Sequence, residues 1–301
     1  MVTPAARVPL TAVVTAFERL DAVLETLARL EACNPAPMEI AVHVDGGETV
    51  VASALRSAFP NVKVMVSDAR VGPGGARNRL VAEATQPIVA SFDDDAYPLD
   101  ADYFARVMEL FTAFPDAAIV CGRVFHADEP AQPAVRAARW VADFSGGASA
   151  YRKQMFERVG GYVPVPLAYG MEEVDFALRL HAAGGRILES PWLRVFHDTD
   201  RGRHAQPAVT AATISNIAVL TSLRYPPLLW PIGAAQCLNR VRWLIGHGRW
   251  RGVMSGLLRI PSEIVRYRGY RRRLAARAVR SYLGLRRRPV DAAAWRQAAV
   301  N

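Results

Sequence analysis

The sequence has few cysteines, and their positions predict neither a disulfide framework nor a metal site. The 301 residues include three cysteines, Cys33, Cys121 and Cys237, which stand far apart and lack the spacing of metal ligands. Small secreted domains that depend on disulfides usually carry an even number of closely spaced cysteines. We therefore expect a protein of a reducing compartment, the cytoplasm.

The sequence also lacks a long uninterrupted apolar run. A membrane-spanning helix needs roughly 18 to 20 apolar residues. Residues 205–239 come nearest, but they contain Arg224 and several Thr, Ser, Asn and Pro residues. Residues 1–9 lack the apolar core of a signal peptide. We expect no membrane span, although residues 205–239 suit a peripheral or shallow membrane segment.

Charge is distributed unevenly along the chain. Residues 224–301 contain 17 arginines, no lysine and two acids, Glu263 and Asp291, so this segment has a net charge of +15. Since the whole chain carries +9, residues 1–223 carry −6. We therefore divide the chain into a main domain, residues 1–206, and a helical, arginine-rich C-terminal extension, residues 207–301.

Short β-branched runs alternate with helical patterns in the first hundred residues. The pattern predicts strands at residues 10–15, 39–44, 62–66 and 88–92, and helices at residues 20–32, 49–59 and 75–84. Such alternation predicts an α/β fold with a Rossmann-like, mostly parallel sheet covered by helices. Ligands of these folds bind beyond the carboxyl ends of the strands.

The rest of the chain is less regular. We predict a helix at 102–114, strands at 118–124 and 144–152, a short helix at 153–159, a Gly/Pro-rich loop at 160–170 and a helix at 172–183. From about Pro207 onward we expect helices only, without a repeat of solenoid length.

Three consecutive carboxylates, Asp93, Asp94 and Asp95, follow the apolar run at residues 87–92. Like charges at this spacing repel one another unless a divalent metal ion, an arginine or open solvent compensates them. Oxygen ligands of this kind suit Mg²⁺ or Mn²⁺, especially when substrate phosphates complete the coordination shell. The alternative is a solvated acidic turn that caps the helix starting near Asp102.

A glycine-rich segment, residues 68–78, opens the third predicted helix. Its backbone N–H groups could face an anion, and Arg70 and Arg77 could contact a diphosphate. The segment lacks the Gly-Lys-Ser/Thr ending of a Walker loop and the spacing of a dinucleotide fingerprint. Turn formation alone is the alternative role for these glycines.

A second acidic cluster, Glu172, Glu173 and Asp175, begins the last predicted helix of the main domain. One of its carboxylates could face a cleft and accept a proton from a sugar hydroxyl while its neighbours anchor the helix. Acids in a first turn also stabilise the helix dipole without any catalytic role. His197 ends a later apolar run and would complete a metal site if it lies beside Asp95; a structural histidine is the alternative.

The order of the motifs along the chain is more specific than any single motif. They are residues 14–19 (VTAFER), 44–47 (VDGG), 72–78 (GPGGARN), 92–95 (FDDD), 146–147 (GG), 159–162 (VGGY), 172–175 (EEVD) and His197. Together they resemble family 2 glycosyltransferases of the GT-A fold, over roughly residues 8–200. The resemblance implies a GT-A nucleotide-diphospho-sugar transferase fold, a nucleotide-sugar donor and a Mn²⁺ or Mg²⁺ cofactor.

The resemblance also implies which side chains bind the donor. Phe17 stands where the family often has tyrosine, so base stacking is kept and a hydroxyl is lost. Asp93 and Asp95 match the DxD motif, and Asp94 is its variable middle position. The nucleotide-sugar-binding residues would be Thr15, Phe17, Asp45, Arg77, Asp93 and Asp94. The metal ligands would be Asp95, Asp93 and His197.

The catalytic base of the family corresponds to the pair Glu172-Glu173, where a Glu-Asp pair is usual. We favour Glu173 as the base and keep Glu172 as the alternative. The resulting hypothesis is an inverting, metal-dependent transfer of a sugar to a hydroxyl of a glycan or lipid-linked acceptor, in the synthesis of a polysaccharide or cell-envelope glycan.

Two other functions remain open at the level of sequence. A sugar-phosphate nucleotidyltransferase would share the sheet and the acids, but it normally needs a lysine-bearing glycine loop, and Lys63 and Lys153 are the only lysines in the sequence. A non-catalytic adaptor would use the basic extension to bind a membrane or RNA.

Arginine alternates with tryptophan, leucine and isoleucine at residues 240–260. Basic amphipathic helices of this kind suit an anionic membrane surface, so we expect peripheral association with the cytosolic face of a membrane. Nucleic acid is not expected as a partner, because no nucleic-acid-binding motif accompanies the charge. Solvated helix faces followed by a disordered end, with arginine runs at 271–273 and 286–288, are the alternative.

Overall fold

The computed structural model describes residues 6–47, 49–167, 171–198 and 206–292. An α/β domain is followed by a helical extension, as the sequence predicts. The strands are β1 (Arg7–Ala16), β2 (Ala36–Asp45), β3 (Lys63–Ser67), β4 (Ile88–Asp93), β5 (Ala96–Pro98), β6 (Ala117–Phe125), β7 (Arg139–Val141), β8 (Ala148–Arg152), β9 (Arg186–His197) and β10 (Val290–Asp291). The α-helices are α1 (Leu20–Glu31), α2 (Val50–Ala58), α3 (Gly72–Glu83), α4 (Tyr103–Ala113), α5 (Lys153–Arg158), α6 (Glu172–Ala182), α7 (Pro207–Arg224), α8 (Trp230–Gly246), α9 (Val253–Arg266) and α10 (Ala276–Arg287).

The strands form one sheet in the order β10-β7-β9-β6-β8-β4-β1-β2-β3, and β5 pairs with β9. Strands β3, β2, β1 and β4 are parallel to one another, and β6 is parallel to β9. Strand β8 lies antiparallel between β4 and β6. The mostly parallel sheet that the βαβ alternation predicts is therefore confirmed.

The central strands are buried on both faces of the sheet. Leu10, Ala12 and Val14 of β1 pack into one layer, with α1, α2 and α4, whereas Val13 packs into the other, with α3, α5 and α6. Parallel strands that are covered on both faces need near-continuous apolar sequences. This requirement explains why β1 and β4 appear in the sequence as apolar runs without a clear alternation of polar residues.

The carboxyl ends of several strands meet at one edge of the sheet. Thr15 of β1 lies opposite Asp93 of β4, and Asp45 ends the neighbouring strand β2. His197 ends β9, where it pairs with Ala96 of β5, just after the aspartate triplet. His197 therefore lies beside Asp95, which is the condition on which its expected role as a metal ligand depends.

Most predicted helices agree with the structure to within one or two residues, but α3 begins three residues early, at Gly72. Pro73 occupies its first turn, where an N–H group would have no partner inside the helix. The N–H of Gly74 is instead bonded to Oε1 of Glu172 at 2.6 Å. A contact that is distant in sequence therefore completes the start of this helix.

The C-terminal extension packs against the main domain. Helix α7 is buried over most of its length, and Nδ2 of Asn216 donates to the carbonyl of Leu167 at 2.8 Å. Gly256 of α9 lies so close to Ala211 of α7 that a side chain at this position would meet the backbone of Ala211 at 2.8 Å. Helix α10 packs against α6 of the main domain.

Two expectations for the extension are wrong. Val290 and Asp291 form β10, which pairs with β7, so the extension is not helical throughout. Helix α10 buries Val279 and Tyr282, so the alternative of a disordered end is wrong for residues 276–287. In the part of the chain that the structure describes, no helix has both the length and the apolarity of a membrane span.

Candidate active site

Three side chains that can bind a metal ion meet at the carboxyl edge of the sheet. Asp93 ends β4, Asp95 follows it, and His197 ends β9. One ligand atom from each lies within 4.8 Å of the other two. Nε2 of His197 is 3.1 Å from Oδ1 of Asp95 and 3.8 Å from Oδ2 of Asp93. The structure thus brings together the three residues predicted as metal ligands.

This group of side chains fits a divalent metal ion. Oδ1 of Asp95 is buried, and among the described residues no group donates a well-directed hydrogen bond to it. A buried carboxylate oxygen without a donor is costly, and a cation removes this cost. Two carboxylates and an imidazole are a suitable donor set for Mn²⁺, with phosphate oxygens and water in the remaining positions.

The charged groups of the site influence one another. Burial would lower the pKa of His197, but the close contact with Asp95 and the charge of Asp93 raise it above its ordinary value. Burial would raise the pKa of Asp95, but the close contact with His197 and the hydrogen bond from Arg19 lower it. A metal ion binds the neutral imidazole, so metal binding and protonation of His197 compete.

Arg19, at the start of α1, compensates part of the negative charge of the aspartate triplet. Its Nη1 donates to Oδ2 of Asp95 at 2.5 Å, and its Nη2 donates to Asp94. Burial raises the pKa of Asp94 to about 6, although the charge of Arg19 opposes this shift. Asp94 and Asp95 are buried and α4 begins only at Tyr103, so the alternative of a solvated acidic cap is wrong.

Arg77 of α3 connects the two acidic clusters. Its side chain is buried, and it donates through Nη2 to Asp93 and through Nε to Ser91 at 3.1 Å. Its Nη1 lies 4.0 Å from Oε2 of Glu172. The aspartates of β4 and the glutamates of α6, which are far apart in sequence, therefore meet at one place, and Arg77, predicted near the diphosphate, lies between them.

The two glutamates of α6 have different surroundings. Glu172 is 1% exposed, and its Oε1 accepts the N–H of Gly74. A side chain at Gly74 would overlap this carboxylate. Glu173 is partly exposed, and its Oε1 lies against Gly146, where an added Cβ would approach it to 2.9 Å. Glu172 therefore fastens α6 to the start of α3, whereas Glu173 is the carboxylate that a substrate can reach.

Electrostatic effects raise the pKa of both glutamates. For Glu172, burial acts together with the charge of Glu173 and against that of Arg77. For Glu173, burial raises the pKa and the charge of Arg77 opposes it. A raised pKa brings a carboxylate closer to the working pH and makes it a better general base.

Asp45 organises the glycine-rich loop. Its Oδ1 accepts the hydroxyl of Ser67 at 3.0 Å and the N–H of Val71 at 2.8 Å, and its Oδ2 accepts the N–H of Gly72 at 2.9 Å. Gly72 has a φ of +74°, which favours glycine. Both carboxylate oxygens of this predicted nucleoside-binding residue are thus bonded to the loop.

Phe17 lies beside the loops that follow β2 and β3. The guanidinium carbon of Arg70 is 4.1 Å from the centre of the Phe17 ring, and a side chain at Gly46 would approach the same ring to 3.2 Å. Thr15, near the end of β1 and two residues before Phe17, donates through its hydroxyl to Oδ1 of Asp93 at 3.4 Å. A partly exposed aromatic ring is a surface on which a nucleobase can stack.

Comparison of the sequence with protein families gives two matches. The model described as glycosyl transferase family 2 matches residues 11–160, and a model described as the N-terminal domain of galactosyltransferase matches residues 131–202. The chain belongs to the family 2 glycosyltransferases. No match was found among the sequences of curated proteins.

Solved structures of glycosyltransferases share the GT-A fold with this chain. Mannosyltransferase PcManGT from Pyrobaculum calidifontis, in complex with GDP-Man and Mn²⁺, has a TM-score of 0.58 and 19% identity over 94% of this chain and 87% of that chain. GalNAc-T7 with UDP, GalNAc and Mn²⁺ has a TM-score of 0.58 and 14% identity, over 74% of this chain and 48% of that chain. S. aureus TarS 1–349 in complex with UDP-GlcNAc has a TM-score of 0.53 and 14% identity, over 71% of this chain and 70% of that chain.

Replacing Gly147 with alanine is expected to weaken the binding of Mn²⁺ together with UDP or GDP by about tenfold or more, a loss of about 1.4 kcal/mol. The added Cβ would overlap Oδ2 of Asp93 and displace this carboxylate. Calorimetry measures the change. Gly284→Ala is the matched control, since its new Cβ has no atom within 4 Å. Equal affinities of the two variants would contradict the close packing of Gly147 on Asp93.

Proposed function

We propose that this family member is a metal-dependent, inverting glycosyltransferase that moves a sugar from a nucleotide-sugar donor to a hydroxyl of a glycan or lipid-linked acceptor. The observation that supports it most is the meeting of the Asp93, Asp95 and His197 group with Glu173 around Arg77. A site for a metal-bound diphosphate and a carboxylate base are the two parts that such a transfer needs.

The proposed donor site uses the edge of the sheet. Asp93, Asp95 and His197 would hold Mn²⁺ or Mg²⁺, which when bound would offset the negative charge of the diphosphate leaving group. Structural neighbours that were solved with GDP-Man, UDP-GlcNAc and Mn²⁺ support a donor of this class. Thr15 and Phe17 are proposed to contact the nucleoside.

The proposed acceptor site lies beside Glu173. Its carboxylate would take the proton of the acceptor hydroxyl while the hydroxyl oxygen attacks the anomeric carbon of the sugar. A single displacement of this kind inverts the configuration at that carbon. Because Arg77 holds Asp93 and lies near Glu173, it would fix the distance between the donor and the base.

Hydrolysis of nucleotide sugars in the presence of Mn²⁺ is the direct test. We expect release of a nucleoside diphosphate from at least one of GDP-mannose, UDP-N-acetylglucosamine and UDP-glucose, and loss of this activity with a chelator. Calorimetry should show that the protein binds a nucleoside diphosphate more tightly than a nucleoside triphosphate. Preference for a triphosphate would support the nucleotidyltransferase alternative, and the absence of nucleotide binding would support the adaptor.

We also propose that the C-terminal extension binds an anionic membrane surface. The observation that supports this proposal is a set of large, exposed apolar side chains on α8, on α9 and in the segment between them. Exposed arginines lie in the same part of the chain. The apolar residues include Trp230 (44% exposed), Trp243 (45%), Trp250 (63%), Met254 (66%), Leu257 (36%), Leu258 (75%) and Val265 (57%).

Helix α9 shows why these residues are exposed. It turns Val253 and Gly256 toward α7, and Gly256 allows close packing because it has no side chain. On α9, Leu257 and Leu258 follow Met254 by three and four positions, and Val265 follows Leu258 by seven, so these exposed residues lie on one side of the helix. They form one stripe, which we call the apolar stripe: Met254, Leu257, Leu258 and Val265. Such a stripe beside arginines suits the headgroup region of an anionic bilayer.

The double variant Met254→Glu/Leu258→Glu is expected to bind anionic phosphatidylglycerol vesicles at least tenfold more weakly than the wild type in a flotation assay. Removing one Leu-sized side chain from an apolar environment costs about 1.5–3 kcal/mol. Val50→Glu is the matched control, because Val50 is 80% exposed but lies on α2 of the main domain. Equal flotation of both variants would contradict a membrane role for the apolar stripe.

The proposed location is the cytosolic face of a membrane. Cys33, Cys121 and Cys237 are free thiols, which suits a reducing compartment. A lipid-linked acceptor would then lie in the same bilayer to which the extension binds.

A further inference from the structure

We propose that the C-terminal extension positions the catalytic residues, with Arg224 and Tyr282 as positioning residues for the two chain segments that flank Glu173. The inference rests on the proposed role of Glu173 as the base. It gives the extension a second task that does not depend on a membrane.

The first link joins α7 to the catalytic helix. Arg224 is the last residue of α7 and is 2% exposed, and Asp175 of α6 is fully buried two residues after Glu173. Nε of Arg224 donates to Oδ1 of Asp175 at 2.5 Å, and Nη2 donates to Oδ2 at 3.2 Å. Nη1 of Arg224 donates to the carbonyl of Tyr270 at 2.7 Å. A bidentate contact of this kind fixes the relative orientation of the two side chains as well as their distance.

A second arginine contacts the same carboxylate without joining it to the extension. Nε of Arg179 donates to Oδ2 of Asp175 at 2.8 Å, but Arg179 lies one turn further along the same helix. Its Nη2 donates to the carbonyl of Gly161 at 2.6 Å, so it connects α6 to the main domain. Arg224 is therefore the side chain through which α7 holds the first turn of α6.

The second link holds the segment on the other side of Glu173. Oη of Tyr282 donates to Oδ1 of Asp143 at 2.5 Å, and Nε of Arg286 lies 2.7 Å from Oδ2. Tyr282 is 1% exposed, and the two residues lie one turn apart on α10. Asp143 is three residues before Gly146, which lies against Oε1 of Glu173, since an added Cβ there would approach this oxygen to 2.9 Å.

Together the two links fix the position of Glu173 relative to the segment at residues 143–147. The first fixes the helix that carries Glu173, and the second fixes the backbone segment against which its carboxylate packs. A catalytic group misplaced by about 1 Å can lose on the order of 100-fold in rate. Gly147 contacts Asp93, but the charged side chains that hold Asp93 and Asp95 are Arg77 and Arg19, which belong to neither link. Loss of a link should therefore affect turnover more than nucleotide binding.

Arg224→Lys and Tyr282→Phe test this inference. Lysine keeps the charge but loses the bidentate contact with Asp175. Phenylalanine removes only the hydroxyl that bonds Asp143, so Tyr282→Phe still tests the inference if Arg224→Lys does not fold. We expect kcat for hydrolysis of GDP-mannose or UDP-N-acetylglucosamine with Mn²⁺ to fall about tenfold to 100-fold. The Kd for Mn²⁺ with GDP or UDP should stay within about twofold. Arg271→Ala is the control, because Arg271 bonds Ser222 within the extension.

Hydrogen exchange provides a readout that does not need activity. Amides of residues 171–176 should exchange faster in Arg224→Lys, and amides of residues 143–147 should do so in Tyr282→Phe, with Arg271→Ala unchanged. The inference would be overturned if the two variants kept the kcat of the wild type, or if both segments exchanged at the wild-type rate. It would also be overturned if kcat and nucleotide affinity fell equally. Inactivity of the wild type would refute the proposed function, and the exchange rates would still show whether the extension holds these segments.

Discussion

Replacing Glu173 with glutamine is expected to lower the turnover of nucleotide-sugar hydrolysis and transfer by about 10³-fold. Glutamine has the same shape and can keep the packing against Gly146, but it cannot take a proton from a hydroxyl. The affinity for Mn²⁺ with UDP or GDP should therefore stay within about threefold. Steady-state kinetics and calorimetry on the same protein measure the two quantities.

Glu172→Gln is the matched control for this prediction. Its amide oxygen would still accept the N–H of Gly74, so we expect turnover within about tenfold of the wild type. The reverse ranking would make Glu172 the base. The pH profile gives a second readout: a base acts only when ionised, and burial raises the pKa of Glu173 above its ordinary value. As the pH decreases, kcat should therefore begin to fall at a higher pH than an ordinary glutamate would give. The residual rate of Glu173→Gln should not show this fall.

The location of the site could be predicted because it follows from local patterns. Asp93 and Asp45 each end an apolar run, and parallel strands bring such ends to one edge of the sheet. The βαβ rhythm alone therefore places Asp45, Asp93 and Thr15 near one another. The position of His197 beside Asp95 needed the order of the motifs as well, because β9 joins the sheet only after a long and irregular segment.

The different roles of the residues within each acidic cluster could not be predicted from local chemistry; only the family resemblance favoured Glu173 and set Asp94 apart. Adjacent residues such as Glu172 and Glu173 have the same chemistry, and a single contact with Gly74 separates their roles. Arg19 was part of a recognised motif, yet nothing local indicates that it pairs with Asp94 and Asp95. These assignments depend on contacts between residues that are far apart in sequence.

The composition of the extension also does not predict its contacts with the main domain. Seventeen arginines predict a solvated, basic segment, and most of them fit that expectation. Arg224 differs because it is buried against Asp175, 49 residues away in sequence. Tyr282 is bonded to Asp143, 139 residues away. A pattern-based prediction treats an arginine as exposed unless its partner is known.

Replacing Asp95 with asparagine is expected to weaken Mn²⁺ binding in the presence of UDP or GDP by about 100-fold or more and to reduce turnover to a similar extent. The substitution removes one of the two carboxylates from the predicted ligand group and leaves Asp93 and His197. Calorimetry gives the Mn²⁺ affinity, and hydrolysis over a range of Mn²⁺ concentrations gives the turnover.

Asp94→Asn separates the metal site from the charge of the triplet as a whole. The carboxylate of Asp94 is bound by Arg19 and is not part of the group formed with His197. Its loss should therefore leave the Mn²⁺ affinity within about threefold of the wild type, because it changes a neighbour of the site and not a ligand. The Asp95 variant should remain folded, because Arg19 would keep its contact with Asp94. An equal loss of affinity in both variants would mean that the summed negative charge, and not a specific ligand geometry, attracts the ion.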